Sequence, residues 1–218
     1  MDDITQALKD YYATTFARHG ATAKGVDWTS EEELLVRYDK MLAVLQKDFT
    51  VLPQPVSMLD VGCGWGGQLR RAQSLGVKLN YTGIDVVESM VQHARTEFPG
   101  ATFIHGDVFA LDKPASYDFV VCNAILTQKL GATIPAMEQF TRELARKMFE
   151  ICRHGIAFNM MSTRVNFMVD NLYYQNPADL LAWMLTDLTP RVRLDHGYSS
   201  LASGKGKFYD FTVYAYKD

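Results

Sequence analysis

Nine consecutive residues, Leu59 to Gly67, read LDVGCGWGG. Glycines in such a string let backbone N–H groups approach a ligand closely and let a helix start tight against a sheet. The string satisfies Gly62-x-Gly64-x-x-Gly67 as well as Gly62-x-Gly64-x-Gly66, so the glycines alone do not separate a dinucleotide from an adenosyl group. Polar residues then recur at intervals: Asp60 within the string, Asp85 in GIDVVESM, Asp107 in HGDVF and Asn123 in YDFVVCNAIL. A carboxylate placed like Asp85 can accept from both hydroxyls of a ribose, and Asp107 falls where an adenine would lie beside it. Cys63 reads as small filler that supplies a backbone amide, because no base is placed to activate its thiol.

Those residues must be presented by strands and helices, and the chain is patterned to do so. SMLDVG (57–62), LNYTGID (79–85), ATFIHGD (101–107), YDFVVCN (117–123) and GIAFNMM (155–161) predict five strands. Helices are predicted over 66–75, 89–98 and 135–152. Strands alternating with helices imply βαβ units in a mainly parallel, doubly wound α/β sheet. The carboxyl ends of such strands line the ligand crevice, and all four polar positions fall there. RVRLDHGY (191–198) and FYDFTVYAY (208–216) differ, predicting two more strands around a Gly/Ser/Lys turn. They form an antiparallel closing hairpin whose final strand is inserted in the sheet, for seven strands in all.

Ahead of the sheet runs a helical leader. Ile4 to Arg18 predicts a helix, HGATAKG (19–25) a loop, and TSEEELLVRYDKMLAVL (29–45) a second helix. Thr29 or Ser30 can cap it, Glu31 to Glu33 suit its positive end, and Leu34, Leu35, Tyr38, Leu42 and Leu45 form its apolar face. Two prolines in VLPQPV (51–56) mark the nearest thing to a boundary.

Over roughly Val56 to Met161 this combination resembles the class I S-adenosylmethionine-dependent methyltransferases. The resemblance implies a Rossmann-like fold with S-adenosylmethionine as cofactor. Asp60, Gly62, Cys63 and Gly64 would then lie under the methionine moiety and ribose. Asp85 would hold the ribose with Val86 beside the adenine, Asp107 and Val108 would meet the adenine, and Asn123 would sit near the sulfonium. Residues 1–50 would be a helical lid, 56–161 the cofactor-binding core, and 162–218 the acceptor region and hairpin of one domain. In the lid, Tyr11 and Trp28 would cover the cofactor, while Arg37 would bind its carboxylate through a bidentate guanidinium. Tyr173 and Tyr174 lie where the acceptor pocket is usually shaped, and Tyr11, Asn123 and Tyr174 are candidates for orienting the reacting groups. His196 is a further candidate base.

The implied activity is methyl transfer to a small-molecule nucleophile. The fourth strand ends in CNAIL, not the (N/D)PP(Y/F/W) run of enzymes that methylate nucleic-acid bases. The leader YYATTFARHGATAKGVDW is also similar to azetidine-2-carboxylate synthases, which cyclise S-adenosylmethionine itself and release methylthioadenosine. Both activities stay open at this point. Composition narrows the partners: 22 basic residues against 25 acidic ones, net charge −3, give no stripe for a nucleic acid. An acidic start and no run near ~18 apolar residues predict a cytoplasmic chain with no membrane partner. Three cysteines without CxxC spacing and five scattered histidines predict neither a disulfide framework nor a metal.

Overall fold

The computed structural model describes residues 2–45, 55–198 and 210–217. Two leader helices, α1 (Asp2–His19) and α2 (Glu31–Leu42), precede β1 (Val56–Val61), α3 (Gly67–Ser74), β2 (Leu79–Asp85) and α4 (Glu88–Glu97). Then come β3 (Thr102–His105), β4 (Tyr117–Cys122), α5 (Ile134–Ile151) and β5 (Cys152–Ser162). The chain closes with β6 (Tyr174–Gln175), α6 (Pro177–Asp187), β7 (Val192–Asp195) and β8 (Asp210–Tyr216).

Seven strands follow the order β3-β2-β1-β4-β5-β8-β7, and β6 pairs with β5 off that path. Strands β1 to β5 are parallel, whereas β8 runs antiparallel between β5 and β7. The inserted final strand is therefore as expected. The two-residue β6 is an addition: Met161 pairs with Tyr174 and Ser162 with Gln175, a contact too short to leave a sequence pattern. Every residue of β8 is buried, as a strand covered on both faces must be, so it reads as a near-continuous apolar run.

Alternation along β4 divides the interior. Val120 and Cys122 face the cluster that contains Phe140, Leu144 and Met148 of α5. Phe119 and Val121 face the other way, against Met41 and Leu42 of α2 and Ala72 of α3. The sheet is thus packed between helical layers, with α2 belonging to one of them.

Local chemistry explains how α2 is held. Ser30, rather than Thr29, caps it by accepting from the Glu33 amide at 3.2 Å, while Thr29 donates to the Glu33 carboxylate at 2.6 Å. Arg71 of α3 grips Asp39 with two bonds of 2.7 Å. Most of the two-proline boundary and the Gly/Ser/Lys turn lie outside the described residues. Among those described, no helix is long and apolar enough to cross a membrane, and no three His, Cys, Asp or Glu side chains gather as metal ligands.

Candidate active site

The glycine string bends between β1 and α3 with Gly62, Gly64 and Gly66 at φ of 72°, 53° and 90°. This left-handed backbone is open to glycine and strained for other residues. It selects one of the two spacings: Gly62-x-Gly64-x-Gly66 makes the turn. Gly67 has a different duty at the start of α3, where an added Cβ would collide with the Tyr38 hydroxyl. The Gly62 amide donates to the Ile84 carbonyl at 2.8 Å, pinning the string to the end of β2.

Four side chains converge around that turn. Asp85 accepts from the Gly64 amide through one oxygen and from the Val87 amide through the other, both at 2.8 Å. Burial raises its pKa in spite of those bonds. Asp60 accepts from the Tyr81 hydroxyl at 2.6 Å. Burial pushes its carboxyl up to about 7, with the Tyr81 bond opposing and Asp85 adding to the rise. Asp107 accepts from the Phe109 amide at 2.9 Å and caps the short turn Val108–Ala110. The Asn123 carbonyl oxygen is buried with no hydrogen-bond partner among the described residues.

Together they line a crevice whose empty space, open mouth included, is about 970 Å³. Asp60, Gly62, Cys63 and Gly64 form the β1 side of the wall. Asp85 and Val86 follow from β2, Asp107 and Val108 from β3, and Asn123 from β4. Thr5, Leu8 and Tyr12 of α1 and Val26 and Trp28 beyond it also line the crevice. The Cys63 thiol is pushed well up by burial, which makes it a poor nucleophile.

Three residues expected here are elsewhere. Tyr11 is turned away and donates to Asp27 at 2.8 Å; its neighbour Tyr12 lines the crevice instead. Successive helical residues project about 100° apart, and the crevice-facing side of α1 carries Tyr12 and not Tyr11. That face is spaced Thr5, Leu8, Tyr12, a helical period readable in the sequence. Arg37 does not line the crevice. Its Nε donates to Asp210 at 2.6 Å, its Nη1 to the Glu33 carbonyl at 2.9 Å, and its guanidinium lies 3.6 Å from the centre of the Trp28 ring. Both members of the Arg37–Asp210 pair are almost wholly buried, and the partner 173 residues away could not be found from spacing. Tyr174 accepts from the Val169 amide at 3.1 Å and lines neither this crevice nor the cavity beside it.

That second cavity, about 740 Å³ to its mouth, shares Tyr12, Val26 and Trp28 with the crevice. Its other walls include the polar residues Asp27, Glu33, Arg37, Gln128 and Asn171. Gln128 donates to Asp27 at 2.6 Å and accepts from Asn171 at 3.2 Å, so these walls hold one another in place. Tyr173 is buried and donates to Gln175, and His196 bonds Ser162 at 2.8 Å; neither lines a cavity described here.

Comparison with known proteins agrees with this geometry. The family described as a methyltransferase domain matches residues 58–150. A protein of Mycobacterium tuberculosis described as a methyltransferase is 29% identical over 164 residues, covering 73% of this chain and 92% of its own. The dTDP-4-amino-2,3,4,6-tetradeoxy-D-glucose N,N-dimethyltransferase of Saccharopolyspora spinosa is 27% identical over 58% of this chain, which spans 46% of that protein. In fold, the chain is similar to a Burkholderia thailandensis 1,6-didemethyltoxoflavin-N1-methyltransferase bound to its substrate and S-adenosylhomocysteine. The TM-score is 0.68 at 16% identity, over 100% of this chain and 90% of that one. The magnesium protoporphyrin IX methyltransferase of Synechocystis PCC 6803 with S-adenosylhomocysteine gives a TM-score of 0.68 at 18% identity, over 98% and 99%. Both of those neighbours hold S-adenosylhomocysteine, the demethylated form of S-adenosylmethionine. The crevice fits it, with a Cβ-free cradle, a buried carboxylate in Asp85 and the unpartnered oxygen of Asn123.

Proposed function

We propose that this chain is an S-adenosylmethionine-dependent methyltransferase acting on a small-molecule nucleophile that enters through the second cavity. The observation that carries the reading is the common wall: Tyr12, Val26 and Trp28 belong to both spaces, so a second molecule there would abut the cofactor. The small-molecule substrates named for the toxoflavin and amino-sugar relatives are of the same kind. When bound, the cofactor supplies an already activated methyl group, so the protein contributes alignment and exclusion of water more than covalent help. Asp85 holds the ribose hydroxyls, Val86, Asp107 and Val108 take the adenine, and Asp60 meets the amino group at the methionine end. Asn123 presents its carbonyl oxygen near the reacting carbon. Trp28 and Tyr12 close the site over that carbon, and their ring faces suit a cation.

One observation favours a second reading, cyclisation to azetidine-2-carboxylate. Asp60, with its carboxyl pushed up to about 7, lines the crevice and not the second cavity. A carboxylate there can take the proton that an attacking amine of the same molecule gives up, as its nitrogen bonds the γ-carbon and the thioether leaves as methylthioadenosine.

Incubating the enzyme with S-adenosylmethionine alone, and then with a mixture of small nucleophiles, distinguishes the two. Adenosylhomocysteine formed only with the mixture, read by mass spectrometry, is the expected result. Methylthioadenosine formed without any added acceptor, above the rate in buffer, replaces the first reading with the second.

A further inference from the structure

Tyr81 is buried in an apolar cluster with Cys63, Leu69, Val91, Ala94, Phe98 and Phe103. Its ring centre is 5.7 Å from that of Phe103. A phenylalanine would satisfy that packing. A hydroxyl brought into such surroundings costs free energy unless it is hydrogen-bonded, and the one partner of this hydroxyl is Asp60 Oδ2 at 2.6 Å. The register shows why they meet: Met58 pairs with Tyr81 and Asp60 with Gly83, so the two side chains rise from neighbouring strands one step apart.

We infer that Tyr81, outside the glycine string, is a positioning residue for the cofactor's amino group, fixing one oxygen of Asp60 and leaving the other to the crevice. The inference rests on the reading that Asp60 meets the methionine end of the cofactor. No protein hydrogen bond reaches Asp60 Oδ1 among the described residues, and Asp60 lines the crevice. The titratable groups that act on Asp60 come from four directions: Tyr81 and Asp85 on β2, Cys63 in the string, Tyr38 on α2 and Cys122 on β4. None of them is a cation. The countercharge that an ionised Asp60 lacks is therefore an ammonium supplied by the ligand. A single phenolic O–H is the protein's own donor to this carboxylate, so removing it makes ionisation harder.

A pH dependence follows. Below about 7 the free protein holds Asp60 protonated, and an ammonium ligand must displace that proton to form the ion pair. Affinity then rises about tenfold per pH unit up to that value and levels off above it. S-adenosylhomocysteine, titrated calorimetrically from about pH 5.5 to 8, reads this directly. Tyr81→Phe should bind it roughly 5- to 50-fold more weakly near neutrality, with the break moved to higher pH. Methylthioadenosine lacks the α-amino group, so its affinity should stay level with pH and equal in both proteins, which reports intact folding.

A wild-type profile for S-adenosylhomocysteine that is flat across this range overturns the inference. So does a Tyr81→Phe profile that superimposes on the wild type while Asp60→Asn binds weakly, since Asp60 then works without Tyr81. Wild-type affinity in Asp60→Asn fails differently: it removes Asp60 from the cofactor site and the reading beneath the inference with it.

Discussion

Each oxygen of Asp85 already accepts from a backbone amide, Gly64 or Val87, so only its remaining lone pairs face the crevice. The side chain shapes the glycine string, and in the proposed function it also offers an acceptor to a ribose. Asp85→Asn keeps the size, accepts from only one amide and sets an NH2 against the other. Affinity for S-adenosylhomocysteine should fall roughly 10- to 100-fold. Unchanged binding in a folded variant would exclude Asp85 from the site. Arg37 makes the opposite case. Arg37→Ala strands the buried Asp210 carboxylate, a change that costs about 3–5 kcal/mol. A large drop in melting temperature is expected, with cofactor affinity of the folded fraction altered little. Normal melting with lost affinity would return Arg37 to the cofactor's carboxylate. The strand-end residues were legible because each strand ends where its apolar run meets a polar residue. Arg37 was misplaced because a guanidinium suits any carboxylate, and nothing in its spacing marks Asp210 as the one.

Among the elements, α1 reaches the crevice from outside the sheet. It brings Leu8 and Tyr12 onto the crevice, and Tyr12 belongs to the wall shared with the second cavity. If the helix is a lid, Tyr12→Ala should lower turnover about tenfold or more while the melting temperature of the free protein changes little. A large thermal loss with normal turnover would make α1 a structural helix. Element boundaries show where local pattern stops being informative. Strand β2 spans the same residues, 79–85, that LNYTGID predicts. Strand β5 was read as starting at Gly155, yet it begins at Cys152, because Cys152 pairs with Tyr117 across a shift in register before Phe119. Arg153 and His154 hide that extension, since polar residues break an apolar run without ending a strand. Strand β6 exists only through its partner β5.

Acid–base behaviour belongs to the molecule as a whole. Asp60 is raised by burial, so its contribution to stability is complete below the unfolded value near 4 and is lost as pH rises through about 7. The ligand-free protein should therefore melt at lower temperature at about pH 8 than at about pH 6, and S-adenosylhomocysteine should stabilise it more at the higher pH. Asp60→Asn should flatten both trends in a thermal melt, and a wild type equally stable at both pH values would contradict them. Asp118 works in the other direction: burial would raise it, but bonds from Ser57 and the Arg153 guanidinium outweigh that and hold it low. Its share of stability is present above the ordinary carboxylate value and is lost as pH falls below it. Net charge and composition bounded the partners, but these opposing shifts depend on which carboxylates fold inward.

The buried pair between α2 and β8 has a consequence in time. Arg37 and Asp210 are 173 residues apart, and at ~5–20 residues per second a ribosome needs roughly 9–35 s to travel between them. The glycine string is translated early in that interval, when the strand that completes the support of Trp28 has yet to be made. A nascent chain would thus carry its nucleotide-binding turn long before it could enclose a ligand. Competence to hold S-adenosylmethionine should arrive abruptly, with the insertion of the last strand, instead of growing along with the chain.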